Sequence, residues 1–289
     1  MSVRYLIAVT IMWAFSFSLI GEFLAGKIDS YFAVFIRVFL ASLLFIPFTN
    51  FKNTFVRLKL YIMAIGGVQI GIMYLFYYNS FLYLSVPEVV LFTIFTPFYV
   101  TLIYDFLKKR FRFLYLISSA TAILGAFIIR YHNINSEFIF GFLMIQGANF
   151  SFALGQSGYK MLIEKFKPKN EKELFGYFHF GALIIVSVAF LLFGNMEKIY
   201  PSSLEWGVLL WLGIVASGAG YFMWNRGACL VDAGTLAIMN NALIPAGLLV
   251  NLLIWDKPTN LLFLIIGSLV MLFSLWLHAF FIKRYEVIK

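Results

Sequence analysis

Residues that carry chemistry are scarce in this chain. Cys229 is the single cysteine, which excludes an intramolecular disulfide. The three histidines, His132, His179 and His278, lie far apart and lack helical spacing, so no metal cluster is expected. Charged residues make up 12% of the chain, against about 25% in soluble proteins, which excludes a soluble domain. No Gly-x-x-x-x-Gly-Lys-Ser/Thr loop is present to cradle a nucleotide. His-Glu-x-x-His and Gly-x-Ser-x-Gly are missing as well, so neither a zinc nor a serine hydrolase site is available. An enzyme and a bound cofactor are therefore not expected. Strict alternation over strand-length segments is also missing, which argues against a membrane barrel.

What the chain does have is apolar length. Hydrophobic residues make up 62% of it. A membrane span needs roughly 20 mostly apolar residues, and ten such stretches can be read: 5–21, 31–48, 60–82, 86–103, 114–129, 138–160, 174–193, 206–224, 233–255 and 261–282. We number them spans 1 to 10. In lipid the backbone must satisfy its own hydrogen bonds, and runs of this length do so as helices. The expected fold class is thus an all-α integral membrane protein of ten transmembrane helices. Arg4 before the first stretch and Leu24-Ala25-Gly26 after it also fit a signal peptide, but a counterpart of this stretch in the second half argues for a span. Tyr31, Tyr200, Trp206 and Trp255 lie near span ends, where amphipathic rings suit the interface.

The basic residues are sorted by side. Of the 22 Lys and Arg, 17 fall in alternate joints: Arg4; Lys52, Arg57 and Lys59; Lys108, Lys109, Arg110 and Arg112; Lys160, Lys165, Lys167, Lys169 and Lys172; Arg226; Lys283, Arg284 and Lys289. The opposite joints hold only Lys27, Arg130, Lys198 and Lys257, and Arg37 lies inside a span. Positive loops stay cytoplasmic, so both termini are expected on the cytoplasmic side of the inner membrane. The net charge of +9 is then a topology signal, and no nucleic-acid partner is needed.

The two halves read as copies. An offset of 148 residues aligns Pro97 with Pro245, Lys108 with Asp256, and 117–120 with 265–268. An offset of 147 aligns Gly71 with Gly218 and Tyr74 with Tyr221; 142 aligns 37–41 with 179–183; 135 aligns 15–17 with 150–152. The offset changes only between spans, where insertions are cheap. The expected units are residues 1–133 and 134–289. A unit of five spans crosses the membrane an odd number of times, so its copy is inverted. Inverted repeats place a substrate near the midplane at their interface.

Four segments carry a family resemblance. They are Trp13-Ala-Phe-Ser-Phe17 in span 1, Arg37 within Phe35-Ile-Arg-Val-Phe-Leu-Ala41 in span 2, the prolines Pro97 and Pro245, and Tyr221-Phe-Met-Trp224-Asn225 followed by Ala228 in span 8. With them the chain resembles the EamA-type ten-helix members of the drug/metabolite transporter superfamily. The acidic residue usual at the far end of spans 4 and 9 is Asp256 in the second half, but Lys108 stands there in the first. The resemblance implies a secondary transporter of small metabolites, closest to members labelled carboxylate, amino-acid or amine transporters. It also places Ser16 of the span 1 segment and Trp224 of the span 8 segment among the substrate-binding candidates.

Polar groups retained inside apolar spans mark a pathway. Arg37 lies roughly 9 Å along span 2 from its outer end at 1.5 Å per residue. Its guanidinium fork suits a carboxylate or phosphate, or a permanent partner such as Glu22 or Glu88. Glu88 suits proton coupling if desolvated, but Ser85-Val-Pro-Glu88 equally fits a capping box. Gln146 and Asn149 in span 6, and Asn240 and Asn241 in span 9, line a cavity or tie helices together. His179, opposite Arg37 in the repeat, can titrate near neutral pH or simply pack. Tyr74, Tyr77, Tyr78, Tyr221 and Trp224 can wall a site through cation–π contacts, or anchor and pack. The glycines of spans 3 and 8, including Gly66, Gly71 and Gly218, permit close helix approach.

The reading that follows is a secondary active transporter moving an amino acid, amine or carboxylate by alternating access. Its partners are a small-molecule substrate, protons or a counter-solute, and the bilayer, with the chain a monomer or homodimer. The alternative is a membrane-embedded structural or signalling protein, or an enzyme. The charge bias makes the topology testable. A cysteine replacing Lys169 is expected to stay unlabelled when intact cells meet an impermeant thiol reagent; labelling from outside would reverse the orientation.

Overall fold

A computed structural model describes residues 2–52, 55–107, 114–129, 135–168, 170–231, 233–255 and 261–287. Ten helical spans run through them: α1 (Val3–Leu24), α2 (Ser30–Phe48), α3 (Val56–Ser80), α4 (Val86–Ile103), α5 (Leu114–Ile129), α6 (Ser136–Phe166), α7 (Lys172–Phe193), α8 (Ser203–Leu230), α9 (Ala233–Trp255) and α10 (Leu261–Val287). Among the described residues there is no strand. Seven of these helices are long and apolar enough to cross a membrane, and shorter apolar stretches lie in α9 and α10. The chain is a multi-pass membrane protein. Lys108, Asp256, Asp232, His132, Arg130 and Lys257 lie outside the described residues, and so does most of the join between the expected halves.

Local chemistry sets the helix ends. Asp29 caps α2 by accepting from the Phe32 amide at 2.7 Å, and Asn135 caps α6 by accepting from Phe138 at 2.8 Å. Capping boxes start α4 at Ser85–Glu88 and α8 at Ser202–Glu205; each satisfies amides that have no partner within the helix. α6 runs to Phe166, past the expected end at 160, since Lys160 is a good helix former; its Nζ donates to the carbonyls of Ala228 and Val231. Lys167, in the left-handed region at φ 43°, closes it.

α1 ends in a π segment at Ile20–Leu24 and α2 in a 3-10 turn at Ile46–Phe48; three further helices depart from α geometry along their length. α4 has a 3-10 turn over Thr93–Phe95, because Pro97 has no N–H for the Thr93 carbonyl. Pro245, its repeat partner, sits inside an α9 described as continuous. α3 and α8 carry π-helical segments at Gly67–Ile72 and Trp211–Ala219. These coincide under the 147-residue offset that aligns Tyr74 with Tyr221. Such segments favour functional sites because they turn side chains out of the regular helical register.

The packing obeys the repeat. α1 packs on α8 and α9, and α6 packs on α3 and α4. α2 packs on α8, and α7 on α3, while α2 with α7 and α5 with α10 pair across the halves. Exchanging helices 1–5 with 6–10 maps this pattern onto itself, as a twofold relation between odd-span units requires. Large apolar side chains such as Leu143, Leu191, Phe193 and Leu253 point outward, as a lipid-facing surface demands.

α3 and α7 cross at two glycines. A Cβ on Gly66 would sit 1.8 Å from the Phe178 carbonyl oxygen, and one on Gly181 would sit 1.8 Å from that of Met63. Backbone cannot yield to a methyl group there as a flexible side chain would. Gly181→Ala is therefore expected to lower stability by about 1–3 kcal/mol, read as a drop in the unfolding temperature of the detergent-purified protein. Gly207→Ala meets nothing within 4 Å and should cause no loss. Equal behaviour of the two variants would refute the close crossing.

Candidate functional site

Arg37 organises the centre. Only 2% of it is accessible, and it lies on the inward face of α2. Its Nε donates to Ser217 Oγ, and its Nη1 donates to the Tyr78 hydroxyl at 3.1 Å. Tyr74 lies under the guanidinium, 4.3 Å from ring centre to Cζ, and the Tyr74 hydroxyl meets Ser217 Oγ at 2.8 Å. Tyr74 and Tyr78 come from α3 just past its π segment, and Ser217 from within the π segment of α8. Among the described residues no carboxylate lies within salt-bridge distance of Arg37; its partners are a serine and tyrosines. Glu22 and Glu88 are thus not its partners.

Beside this cradle lies a cavity. About 90 Å³ of it admits the centres of water molecules. Trp13, Phe152, Tyr221 and Trp224 form an aromatic wall, with Trp13 4.9 Å from Tyr221 and 5.0 Å from Trp224 between ring centres. Both indoles are pinned from behind. Trp13 Nε1 donates to the Ala216 carbonyl at 2.9 Å, and Trp224 Nε1 donates to Gln156 Oε1 at 2.8 Å. The ring faces are left to the cavity, where they can stack on a planar or apolar group.

Of the sequence-chosen residues, Ser16, Arg37, Tyr74, Asn149, Trp224 and Asn240 line this cavity. Tyr78 and Gln146 stand one layer behind it. Tyr78 holds Arg37, and Gln146 Oε1 accepts from Asn149 at 3.3 Å and from Tyr99 at 3.3 Å. Asn241 is not among the lining residues, and its Oδ1 is buried without a partner. Asn149 is occupied as a brace: its Nδ2 donates to the Phe92 carbonyl at 2.7 Å, beside the α4 break.

The two groups considered for coupling do not line the cavity. Glu88 is the acid of the α4 capping box, its Oε2 accepting from the Ser85 amide at 2.8 Å and hydroxyl at 2.7 Å. His179 is fully buried between Phe45, Phe175 and Phe178, and neither ring nitrogen has a hydrogen-bond partner. A histidine in such surroundings packs as an aromatic ring. Outside the spans, burial holds the Glu171 carboxyl above the usual carboxylate range, against the pull of Arg226 and a hydrogen bond accepted from Tyr159. The same bond, at 3.4 Å, ties the joint before α7 to α6.

Thr93, Thr96 and Ser217 were passed over in the sequence because isolated hydroxyls are common in apolar helices. For the two threonines the usable signal was Pro97, which breaks α4 beside them. For Ser217 it was the run of small residues in span 8. No group of three His, Cys, Asp or Glu is placed to hold a metal among the described residues.

Residues 1–131 match the EamA-like transporter family. Three relatives resemble nearly the whole chain. A probable biotin transporter of Pseudomonas aeruginosa is 49% identical over 95% of this chain and 96% of its own length. The biotin transporter of Escherichia coli K12 is 48% identical over 94% of this chain and 91% of its own, and that of Salmonella typhimurium is 49% identical over the same shares. A protein of known crystal structure superposes with a TM-score of 0.65 over 96% of both chains at 14% identity, which speaks to the fold alone.

Ser217 is the acceptor on which the Arg37 Nε depends. Ser217→Ala leaves that donor unpaired in a buried place, and is expected to cost about 1–3 kcal/mol of stability. Thermal unfolding in detergent checks this; an unchanged midpoint would mean that the tyrosines alone hold the guanidinium.

Proposed function

The chain belongs to the EamA-like transporter family, and on that premise we propose that it carries a small monocarboxylate across the inner membrane, with biotin as its substrate. Transport of a small metabolite follows from the family. The carboxylate class rests on one observation, the guanidinium of Arg37 buried at the cavity with no acid beside it among the described residues. A buried charge is costly unless paired. Serine and tyrosine oxygens offset part of that cost, and a substrate carboxylate supplies the missing charge. The guanidinium has five N–H donors, of which two are used in hydrogen bonds within the cradle, so a carboxylate can dock without breaking it.

The same cavity disfavours amines and zwitterionic amino acids. Among the described residues no Asp or Glu lines it, so an ammonium would meet Arg37 with no described anion to offset the repulsion. The aromatic wall instead suits an uncharged ring, and the bicyclic head of biotin provides one. The space that admits water is about 90 Å³, below the roughly 300–1,000 Å³ of small-ligand sites, so the walls must part to take a ring-bearing ligand. Glu88 and His179 stand apart from the cavity, which leaves its charge balance to Arg37 and the substrate. Both termini face the cytoplasm, as the lysine and arginine bias requires, and the site lies at the interface of the two halves, where alternating access exposes it to each side in turn.

Uptake of labelled biotin into proteoliposomes tests this. The wild type is expected to accumulate biotin, Arg37→Gln to lose roughly a hundredfold or more in affinity, and Arg37→Lys to fall between them because it keeps the charge and loses the fork. If the wild type carries other monocarboxylates and ignores biotin, the named substrate is wrong and the class stands. If Arg37→Gln transports normally, the site is wrong.

A further inference from the structure

The wall built by α4, α6 and α9 differs from the Arg37 side in what its polar groups offer. Thr93 Oγ1 donates to the Val90 carbonyl at 2.7 Å, and Thr96 Oγ1 donates to Asn149 Oδ1 at 3.4 Å. A hydroxyl has one hydrogen and two lone pairs. With the hydrogen spent on the protein, each threonine can present lone pairs to the cavity that both residues line. Asn149 has used its Nδ2 on Phe92 and Gln146. Asn240 donates from Nδ2 to the Leu236 carbonyl at 3.1 Å, and its amide oxygen makes no hydrogen bond within the described residues. Among the described residues the wall is therefore rich in acceptors and poor in free donors, and no acid stands on it.

The break in α4 produces this arrangement. Thr93 opens the 3-10 turn and Thr96 follows directly after it. In 3-10 geometry residues i and i+3 eclipse, so both hydroxyls fall on one line along the helix. α9 packs against this same turn, which brings Asn240 to the same wall.

Neutral acceptors without a nearby carboxylate suit neutral N–H groups; they cannot neutralise an ammonium. The geometry points to a substrate that carries the N–H donors of a cyclic urea or amide away from its carboxylate, received by Thr93, Thr96 and Asn240. This rests on the monocarboxylate reading of Arg37 and adds to it a second recognition point, at the other end of the ligand. The carboxylate supplies the charge match. The N–H groups supply selectivity, since a plain fatty acid of similar length leaves these acceptors unfilled.

The test measures affinity on the purified, full-length carrier by calorimetry with three probes: biotin, biotin methylated on its ureido nitrogens, and octanoate. Thr96→Val keeps the side-chain shape and removes the hydroxyl; Thr96→Ser restores it. Biotin is expected to bind Thr96→Val roughly three- to tenfold more weakly than wild type, the worth of one neutral hydrogen bond, with Thr96→Ser close to wild type. Methylated biotin should bind the wild type more weakly than biotin and should not distinguish it from Thr96→Val, and octanoate should bind both alike. Thr93→Val, measured in the same way, guards against a fold-specific failure of the first variant. If biotin and its methylated form bind the wild type equally, or if both valine variants weaken octanoate as much as biotin, the acceptor wall does not read N–H groups, while the Arg37 site stands. If no monocarboxylate binds the wild type at all, the Arg37 reading falls and takes this one with it.

Discussion

A permanently charged guanidinium, held inside a membrane domain with no carboxylate beside it among the described residues, is the constraint at the centre of this protein. Arg37 cannot escape the cost by losing its proton, and it lies too deep to reach water along its own side chain. The surroundings must therefore supply oxygen lone pairs and ring faces. Ser217, Tyr74 and Tyr78 do so from two other helices, and both of those helices run through π-helical segments near the contact. The small residues that make these segments possible also let α3 and α8 approach their neighbours closely. One buried charge thus accounts for the hydroxyls, the aromatic stack and the irregular turns around it.

The pseudo-symmetry shows what this costs, because only one half bears it. The 142-residue offset puts His179 opposite Arg37, and His179 sits among phenylalanines with both nitrogens unpartnered. The 147-residue offset puts Asn225 opposite Tyr78, and Asn225 accepts from Gln69 at 3.1 Å instead of holding a cation. Tyr221, opposite Tyr74, serves the aromatic wall. The helix contacts follow the twofold pattern while the side chains at its centre differ, one set lining the cavity and the other packing. On the reading proposed above, a ligand charged at one end and neutral at the other suits such a divided centre.

Much of the architecture was legible because it rests on patterns that survive averaging. Span length is such a pattern, since it draws on many residues at once, and the ten helical spans follow it. Arg37 was legible because a lone charge in an apolar run has few explanations. Glu88 illustrates the limit: Ser85-Val-Pro-Glu88 encoded a cap and a buried acid equally well, and the cap is what forms. His179 was open to titration or packing in the sequence, and it lies among Phe45, Phe175 and Phe178 because the repeat aligns positions and not environments. Thr93 and Thr96 were illegible as site residues because a hydroxyl in a helix ordinarily bonds its own backbone. Only the 3-10 turn brings them onto one line.

The cradle is also divided between the halves. Tyr74 and Tyr78 belong to the same half as Arg37, whereas Ser217 belongs to the other. Because α2 packs on α8 as well as on α3, the guanidinium is held from both parts of the chain at once. On the monocarboxylate reading proposed above, a substrate carboxylate joins this arrangement through the guanidinium N–H groups that Ser217 and Tyr78 leave unused. It would then share one charge between contacts drawn from both parts of the chain.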